Sequence, residues 1–139
     1  MTSELWTAGP TREATEDVRA AVRAAVLDYF EGWFNADADR MRRALHPALA
    51  KRSRAQDPGR TPAVSSLTAD QMIAWTAEGA GRHRAGPLEI RIDEISGGIA
   101  AVTVHSESYV EYLHLVATPD GWQIVNALWR YADGHGPVA

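Results

Sequence analysis

Two side chains in this sequence are of types that could transfer protons in a binding pocket. His46, in the stretch ALHPALAKR over residues 44–52, lies where a helical pattern gives way to a strand-like one. An imidazole exchanges protons near neutral pH, and a carboxylate can also act as a general acid or base. Glu111 shares the alternation of Leu113 in a predicted strand, so we expect both side chains on the inner face of a sheet.

Each of these residues also has a structural interpretation. His46, next to Arg42 and Arg43, could simply end a helix, where a cation favours the negative end of the helix dipole. Glu111 could form an internal ion pair or lie partly exposed, and a single bulge would turn it outward. For His46 we expect the substitution His46→Asn to alter ligand binding more than stability.

No other group of residues defines a reaction. One segment holds four titratable residues: His105, Glu107, Glu111 and His114. They include no His-x-His pair and no helical HExxH spacing, so they do not predict a metal site. The stretch GAGRHRAG, residues 79–86, lacks the Lys-Ser/Thr of a phosphate-binding loop, and no GxSxG motif is present. The sequence therefore predicts neither a metal nor a cofactor.

Composition limits the class of protein. A chain of 139 residues suits one domain, and without cysteine it can form no disulfide and use no thiolate nucleophile. The formal net charge of −4 argues against a general nucleic-acid binder. No apolar run approaches the ~20 residues of a membrane span, and the amino terminus lacks a basic-then-apolar signal pattern. We expect a soluble, cytoplasmic protein that binds neither nucleic acid nor membrane.

One segment departs from the acidic average. Residues 40–60 contain seven Arg or Lys against one acid, Asp57. This basic segment is either a solvated surface that pairs with acidic parts of the molecule, or a rim that attracts a ligand carrying carboxylate or phosphate.

Capping residues and periodicity predict three helices. Thr15, Asp37 and Thr68 can each cap a helix, because their side-chain oxygens accept hydrogen bonds from the first turn. The second helix must stop at His46, since the ring of Pro47 disfavours helical geometry at the residue before it. The predicted helices cover residues 16–35, 38–45 and 69–78.

A period of two predicts the strands. The stretch 99–117 is too long for one strand, so we expect a tight reversal near residues 106–108. A hairpin around the turn DPGR, residues 57–60, pairs residues 49–56 with 61–67. Four further antiparallel strands cover residues 88–95, 99–106, 109–117 and 122–131.

Alternation also assigns the faces of the last strand. The predicted inward residues are Trp122, Ile124, Asn126 and Leu128. A buried Asn126 without a partner would cost about 1 to 3 kcal/mol, so it is either a satisfied core amide or a ligand contact. The residues left outside are Val125, Ala127, Trp129 and Tyr131, joined by Tyr112 and Val116 of the neighbouring strand. Because a monomer would expose this patch, we predict a homodimer through the outer sheet face.

The chain resembles the NTF2-like superfamily, which includes SnoaL-type polyketide cyclases and ketosteroid isomerases, and is most similar to its lumazine-binding branch. The resemblance lies in three stretches: YFEGWFNADADRMRRALHPALAKR, YVEYLHLVATPDGW and WQIVNALWRY. It implies an α+β cone of three helices packed on a curved, mostly antiparallel six-stranded sheet. We expect a single domain over residues 15–132, a flexible tail over residues 1–14 and a C-terminal tail over residues 133–139.

The resemblance further implies a cavity for a small apolar or aromatic molecule, with His46 near its mouth. As an enzyme the chain would be similar to the cofactor-free isomerases, dehydratases and cyclases, with His46 or Glu111 as general acid or base and Asn126 or Tyr109 stabilising negative charge. The aspartate and tyrosine set of ketosteroid isomerases and the paired histidines of scytalone dehydratases are not matched here. The alternative is a non-catalytic homodimeric binding or assembly module whose cavity is filled by its own side chains. The predicted ligand-binding residues are Tyr29, Trp33, Met72, Trp75, Tyr109, Leu113, Asn126 and Leu128.

Overall fold

The computed structural model describes residues 15–54 and 64–136, in which three α-helices accompany a six-stranded sheet. The helices are α1 (Glu16–Asn35), α2 (Ala38–Ala44) and α3 (Ala69–Ala77). The strands are β1 (Leu45–Arg54), β2 (Val64–Leu67), β3 (Leu88–Ser96), β4 (Ile99–Ser106), β5 (Tyr109–Thr118) and β6 (Gly121–Tyr131). The predicted α+β class is confirmed. The predicted N-terminal tail and the DPGR turn lie outside the described residues.

Side-chain caps determine where the helices begin. Thr15 and Asp37 each accept a hydrogen bond from the backbone N–H three residues further on. Thr68 and Gln71 form a reciprocal capping box, in which each side chain bonds the other residue's backbone N–H. These bonds pair N–H groups that the first turn of a helix leaves free, so all three predicted helix starts are confirmed.

The end of α2 differs from the prediction by one residue, which changes the setting of His46. The helix ends at Ala44, and Leu45 already has the extended geometry of β1, where it pairs with Ile124 of β6. Sheet pairing therefore stops the helix before the restriction imposed by Pro47 applies. His46 lies within a strand and not at a helix end.

The sheet has the strand order β2-β1-β6-β5-β4-β3. All neighbouring strands are antiparallel except β1 and β6, which are parallel, so the mostly antiparallel six-stranded sheet is confirmed. The reversal between β4 and β5 falls at the predicted place. It uses no glycine or proline there, because Ser106 Oγ accepts a hydrogen bond from the backbone N–H of Tyr109 at 3.0 Å.

A bulge in β6 overturns part of the predicted face assignment. Leu115 pairs with Ile124 and His114 pairs with Asn126, which leaves Val125 without a partner on β5. One extra residue exchanges the inner and outer faces for the rest of the strand. The predicted inward positions of Asn126 and Leu128 are therefore wrong, as are the predicted outward positions of three residues: Ala127, Trp129 and Tyr131.

The core lies between α1 and the inner face of the sheet. Fully buried side chains include Val22, Val26 and Phe30 of α1, which pack with Leu113, Leu115 and Ile124 of the sheet. Within the described part of the chain, no helix combines the length and apolarity needed to cross a bilayer.

Candidate functional site

A cavity of about 320 Å³ opens between α1, α3 and the inner face of the sheet. Its volume lies at the lower end of the range of about 300 to 1,000 Å³ that is usual for small-molecule sites. Aromatic side chains make up most of the wall. The lining residues are Tyr29, Phe30, Trp33, Lys51, Leu67, Met72, Trp75, Ala80, Arg84, Tyr109, Trp129 and Tyr131.

Three rings from β5 and β6 form one wall of the cavity. The Tyr109 and Trp129 rings meet edge to face with centroids 5.4 Å apart, and Trp129 meets Tyr131 similarly at 5.0 Å. Trp129 and Tyr131 face inward only because the bulge at Val125 precedes them. The irregularity in β6 therefore places two of the three rings of this wall.

Trp33 of α1 also lines the cavity, next to Tyr109. Its indole N–H donates to the hydroxyl of Tyr109 at 3.1 Å. Gly81, in the loop after α3, lies so close that a β-carbon there would be 2.5 Å from atoms of Trp33. Only glycine permits this approach, so the glycine-rich stretch serves to pack the loop against the cavity wall.

A buried polar group of three residues, the floor network, lies at the base of the cavity: Tyr29, Lys51 and Glu111. The hydroxyl of Tyr29 donates to Glu111 Oε1 at 2.8 Å and accepts a hydrogen bond from Lys51 Nζ. Lys51 Nζ is 3.7 Å from Glu111 Oε1, so the ion pair is close but is bridged by the phenol. Lys51 is 4% exposed and Glu111 is 3% exposed.

Burial affects the protonation of two members of this network. Loss of hydration lowers the pKa of Lys51, and the negative charge of Glu111 only partly opposes this effect. Loss of hydration, together with the charge of Glu111, raises the pKa of Tyr29 well above its usual value. Tyr29 therefore remains a neutral hydrogen-bond donor, while the amine of Lys51 releases its proton more readily than an exposed lysine would.

Two further polar groups border the cavity. Trp129 Nε1 is buried and has no hydrogen-bond partner among the described residues. Arg84 lies over the rings of Tyr109 and Tyr131, with its guanidinium carbon 5.9 and 5.2 Å from the two centroids. Burial raises the pKa of Tyr109 to about 12, although the Trp33 N–H and the charge of Arg84 act against this rise. The cavity thus presents the indole N–H of Trp129, the cationic groups of Lys51 and Arg84, and neutral phenols to a ligand.

The predicted ligand-binding residues divide into two groups. Five of them line the cavity: Tyr29, Trp33, Met72, Trp75 and Tyr109. Leu113 is fully buried in the core behind the cavity wall. Asn126 and Leu128 lie on the outer face of the sheet, where Leu128 is 50% exposed and Asn126 Nδ2 lies 3.4 Å from His114 Nδ1.

The two predicted catalytic residues have different settings. Glu111 is inward, as its alternation with Leu113 predicts, but it lies behind Tyr29 and Lys51 and is not one of the lining residues. His46 is half-buried at the start of β1 and is not one of the lining residues, and its Nδ1 accepts a hydrogen bond from the Ala48 N–H at 3.0 Å. The structure thus does not bring His46 and Glu111 together in the cavity.

Sequence reasoning missed Lys51, the buried amine that lines the cavity and could react with a ligand. Two signals could have identified it. Lys51 shares the alternation of Leu49, which is buried in β1, and it is the only lysine in the sequence. Trp129 and Tyr131 were missed for a different reason, since no residue type marks the bulge at Val125.

Two other parts of the described structure, the acidic and histidine side chains and the basic segment, give less support for a functional site. Among the described residues, no group of three or more His, Asp or Glu side chains could hold a metal ion. Within the basic segment, Arg40 and Arg43 pair with Asp28 of α1, which is the arrangement expected of a structural surface. Among the described residues of that segment, Lys51 is the one that lines the cavity.

Solved structures of low sequence identity share the fold. An NTF-2 like protein of unknown function from Silicibacter pomeroyi DSS-3 aligns with a TM-score of 0.67 at 18% identity, over 86% of this chain and 99% of that chain. An NTF2-like protein of unknown function from Shewanella baltica OS155 aligns with a TM-score of 0.69 at 13% identity, over 87% and 99%. A ketosteroid isomerase-like protein from Erwinia carotovora atroseptica SCRI1043 aligns with a TM-score of 0.55 at 16% identity, over 86% and 99%.

These likenesses, with the helix-covered six-stranded sheet, show the NTF2-like fold class. Within that class, the family model described as putative lumazine-binding matches residues 17–130, and the chain belongs to this family. A comparison with curated proteins found no match.

Proposed function

We propose that this protein binds a small, planar, largely apolar molecule and holds a carbonyl or ionised oxygen of that molecule with Lys51. The observation that carries the proposal is a buried amine at the floor of a cavity with mainly aromatic walls. Flat rings stack on such walls, and a cation excluded from water binds a negative or polarised oxygen strongly. The N–H of Trp129, which has no partner among the described residues, supplies a second donor for the same ligand.

The family description supports a ligand of this kind. Lumazines are pteridines, which are flat and carry ring carbonyl oxygens, and the matched family is described as putative lumazine-binding. The volume of about 320 Å³ accommodates a compact ring system rather than a long chain.

A ligand screen tests the proposal. Pteridine, flavin-like, steroid and polyketide compounds should include some that quench tryptophan emission and raise the melting temperature by mass action. Lys51→Met should weaken binding of an oxygen-bearing ligand by at least about tenfold, because the charged contact is lost. Arg52→Met is the matched control, since Arg52 is the exposed neighbour of Lys51 and should leave affinity unchanged. A complete panel without a shift in wild-type protein would count against the proposal.

An acid–base isomerase, dehydratase or cyclase is the second candidate function, and the bridged floor network favours it. A substrate oxygen at Lys51 would gain stabilisation as it becomes an enolate, and Tyr29 could relay a proton between the cavity and Glu111. His46 remains a less favoured participant because it is not one of the lining residues. Exchange of the α-hydrogen of a bound ketone with deuterated solvent, followed by NMR, tests this function. Exchange should disappear in Glu111→Gln.

We also propose a homodimer through the outer sheet face, with a composition corrected for the bulge. The exposed apolar residues there include Tyr112 and Leu128, which are cross-strand neighbours and are 53% and 50% exposed. Leu128→Glu should dissociate the dimer in analytical ultracentrifugation, while Val64→Glu, on the edge strand β2, should not. A wild-type protein that sediments only as a monomer at micromolar concentration contradicts this assembly. The cytoplasm remains our expected location for this cysteine-free chain.

A further inference from the structure

Lys51 is the only lysine in the sequence, where the other basic residues are thirteen arginines. A guanidinium remains charged at all ordinary pH values and serves ion pairs and surface solvation well. An amine differs in that it can lose its proton and act as a nucleophile. The single side-chain amine of this sequence is buried at the floor of the cavity.

We propose that Lys51 captures an aldehyde or ketone group of the ligand as a protonated Schiff base, with Glu111 as its counter-ion. This inference rests on the proposed function, because it names the carbonyl group as the ligand chemistry that the cavity retains. It adds a covalent bond to the non-covalent binding proposed above.

The floor network has the parts that a protonated Schiff base needs. Lys51 Nζ lies 3.7 Å from Glu111 Oε1, so the positive charge of an iminium would have a carboxylate beside it. The Tyr29 hydroxyl, bonded to both groups, keeps the carboxylate in place. The Tyr29 and Trp129 rings, with centroids 4.8 and 5.4 Å from Nζ, provide faces that favour a cation.

The reaction balances without any further reagent. The neutral amine of Lys51 attacks the carbonyl carbon, and the carbonyl oxygen takes up a proton to give a carbinolamine. Loss of that oxygen as water leaves a carbon–nitrogen double bond that carries one proton on nitrogen. In sum, one ammonium group and one carbonyl compound give one iminium ion and one water, with no oxidant or reductant and no change in net charge.

The setting also favours the first step. Burial lowers the pKa of Lys51, so a larger fraction of this amine is neutral than for an exposed lysine at the same pH. Tyr29 stands between Lys51 and Glu111 and offers a path by which the displaced proton can move. The aromatic wall limits water, which would otherwise hydrolyse the imine.

Reductive trapping tests the inference. Wild-type protein is incubated with 2-naphthaldehyde and sodium cyanoborohydride at neutral pH, and the adduct is located by peptide mass mapping. We expect a single reduced adduct on Lys51, at a rate at least about tenfold above that of the chain's α-amine. The alcohol 2-naphthalenemethanol, which has the same ring but no carbonyl, should slow the labelling as a competitor.

A matched variant provides the reactivity control. Arg52→Lys introduces an exposed amine next to Lys51 on the other face of β1. If the cavity activates Lys51, the introduced amine should react at least about tenfold more slowly than Lys51 in the same molecule. Comparable labelling of the two amines would overturn the inference. Because this variant and the wild type retain the floor network, the test does not depend on the stability of a Lys51 substitution.

The failure of this inference can be distinguished from the failure of the proposed function. Protein that binds the naphthalene alcohol and the aldehyde, as seen by tryptophan quenching, but forms no Lys51 adduct overturns the Schiff base and leaves non-covalent binding standing. Protein that binds neither compound and forms no adduct counts against both. Lys51→Arg should retain charge, lose the adduct and still bind the alcohol.

Discussion

Asp28 and Tyr29 are neighbours on α1, but they belong to two different ionic groups, one at the surface and one buried. Asp28 faces α2, where its carboxylate accepts hydrogen bonds from Arg40 at 2.9 Å and from Arg43 at 3.0 and 3.1 Å. Arg40 also bonds Glu31 at 2.8 Å. We call these four residues the surface cluster. It joins the first two helices with direct hydrogen bonds between arginines and carboxylates.

The floor network differs in contact, burial and type of cation. Its lysine and carboxylate are 3.7 Å apart with a phenol between them, and both are almost completely buried. An ammonium has three donors, and the hydroxyl of Tyr29 occupies one of them. The comparison indicates that the surface cluster is structural, whereas the floor network keeps hydrogen-bonding capacity available to a ligand.

The largest expected effect comes from removing the carboxylate of the floor network. Glu111→Leu should lower the free energy of unfolding by about 3 to 5 kcal/mol, because it leaves the ammonium of Lys51 buried without a counter-charge. The double variant Lys51→Met/Glu111→Leu should recover much of this loss. Urea unfolding of the wild type, both single variants and the double variant measures the coupling. Glu89→Leu, at an exposed carboxylate of β3, is the control and should change little.

A smaller effect is expected in the surface cluster. Asp28→Asn should cost about 1 kcal/mol at low salt and less at high salt, since partly exposed ion pairs are screened by water and ions. Urea unfolding at two salt concentrations checks this value. A loss as large as that of Glu111→Leu would remove the distinction between the two groups.

Asp28 should also affect the stability of the protein at acid pH. Burial opposes ionisation of Asp28, but hydrogen bonds and charge from Arg43 and Arg40 outweigh it and lower its pKa below 3.8. Its contribution to stability is therefore present above pH 3.8 and is lost as the pH falls through the lower folded-state value. Thermal unfolding of Asp28→Asn between about pH 2 and 5 should show a flatter decline than the wild type. Parallel curves would mean that other carboxylates govern acid unfolding.

Unfolding at alkaline pH tests the burial of Tyr109 in the cavity wall. The pKa of Tyr109 is raised from 10.0 to about 12, mainly by burial, so the folded state holds a proton that the unfolded state releases. Stability from this group is present below pH 10.0 and is lost as the pH rises through about 12. Tyr109→Phe should therefore lessen the decline in melting temperature over that range. Phenolate absorbance recorded during the same titration should show the corresponding delayed ionisation in the wild type.

The smallest effect is expected at His46. Asparagine can replace the acceptor that His46 offers to the Ala48 N–H, so His46→Asn should cost less than about 1 kcal/mol. Since His46 is not one of the lining residues, ligand affinity should stay unchanged, in contrast to the expectation from sequence. Thermal melting and ligand titration of His46→Asn distinguish the expectation from the structure from the expectation from the sequence. A clear loss of affinity with intact melting would restore His46 as part of the site.

Much of the fold could be predicted because it depends on local rules. Thr15, Asp37 and Thr68 cap helices through bonds to residues three positions away, and the capping box at Gln71 needs no distant partner. Strand alternation also placed Glu111 on the inner face correctly, since no bulge interrupts β5 before it. These features are determined by the sequence itself, over spans of a few residues.

The candidate site was decided by the tertiary structure. The bulge at Val125 is a property of how β6 pairs with two neighbours, and it alone places Trp129 in the cavity and Leu128 outside. Tyr29, Lys51 and Glu111 meet although 22 and 82 residues separate Tyr29 from the other two. A single lysine is visible in the sequence, but its chemistry depends on loss of water and on a carboxylate at 3.7 Å. Both exist only after distant strands and a helix enclose it, because burial and long-range charge are properties of the folded molecule.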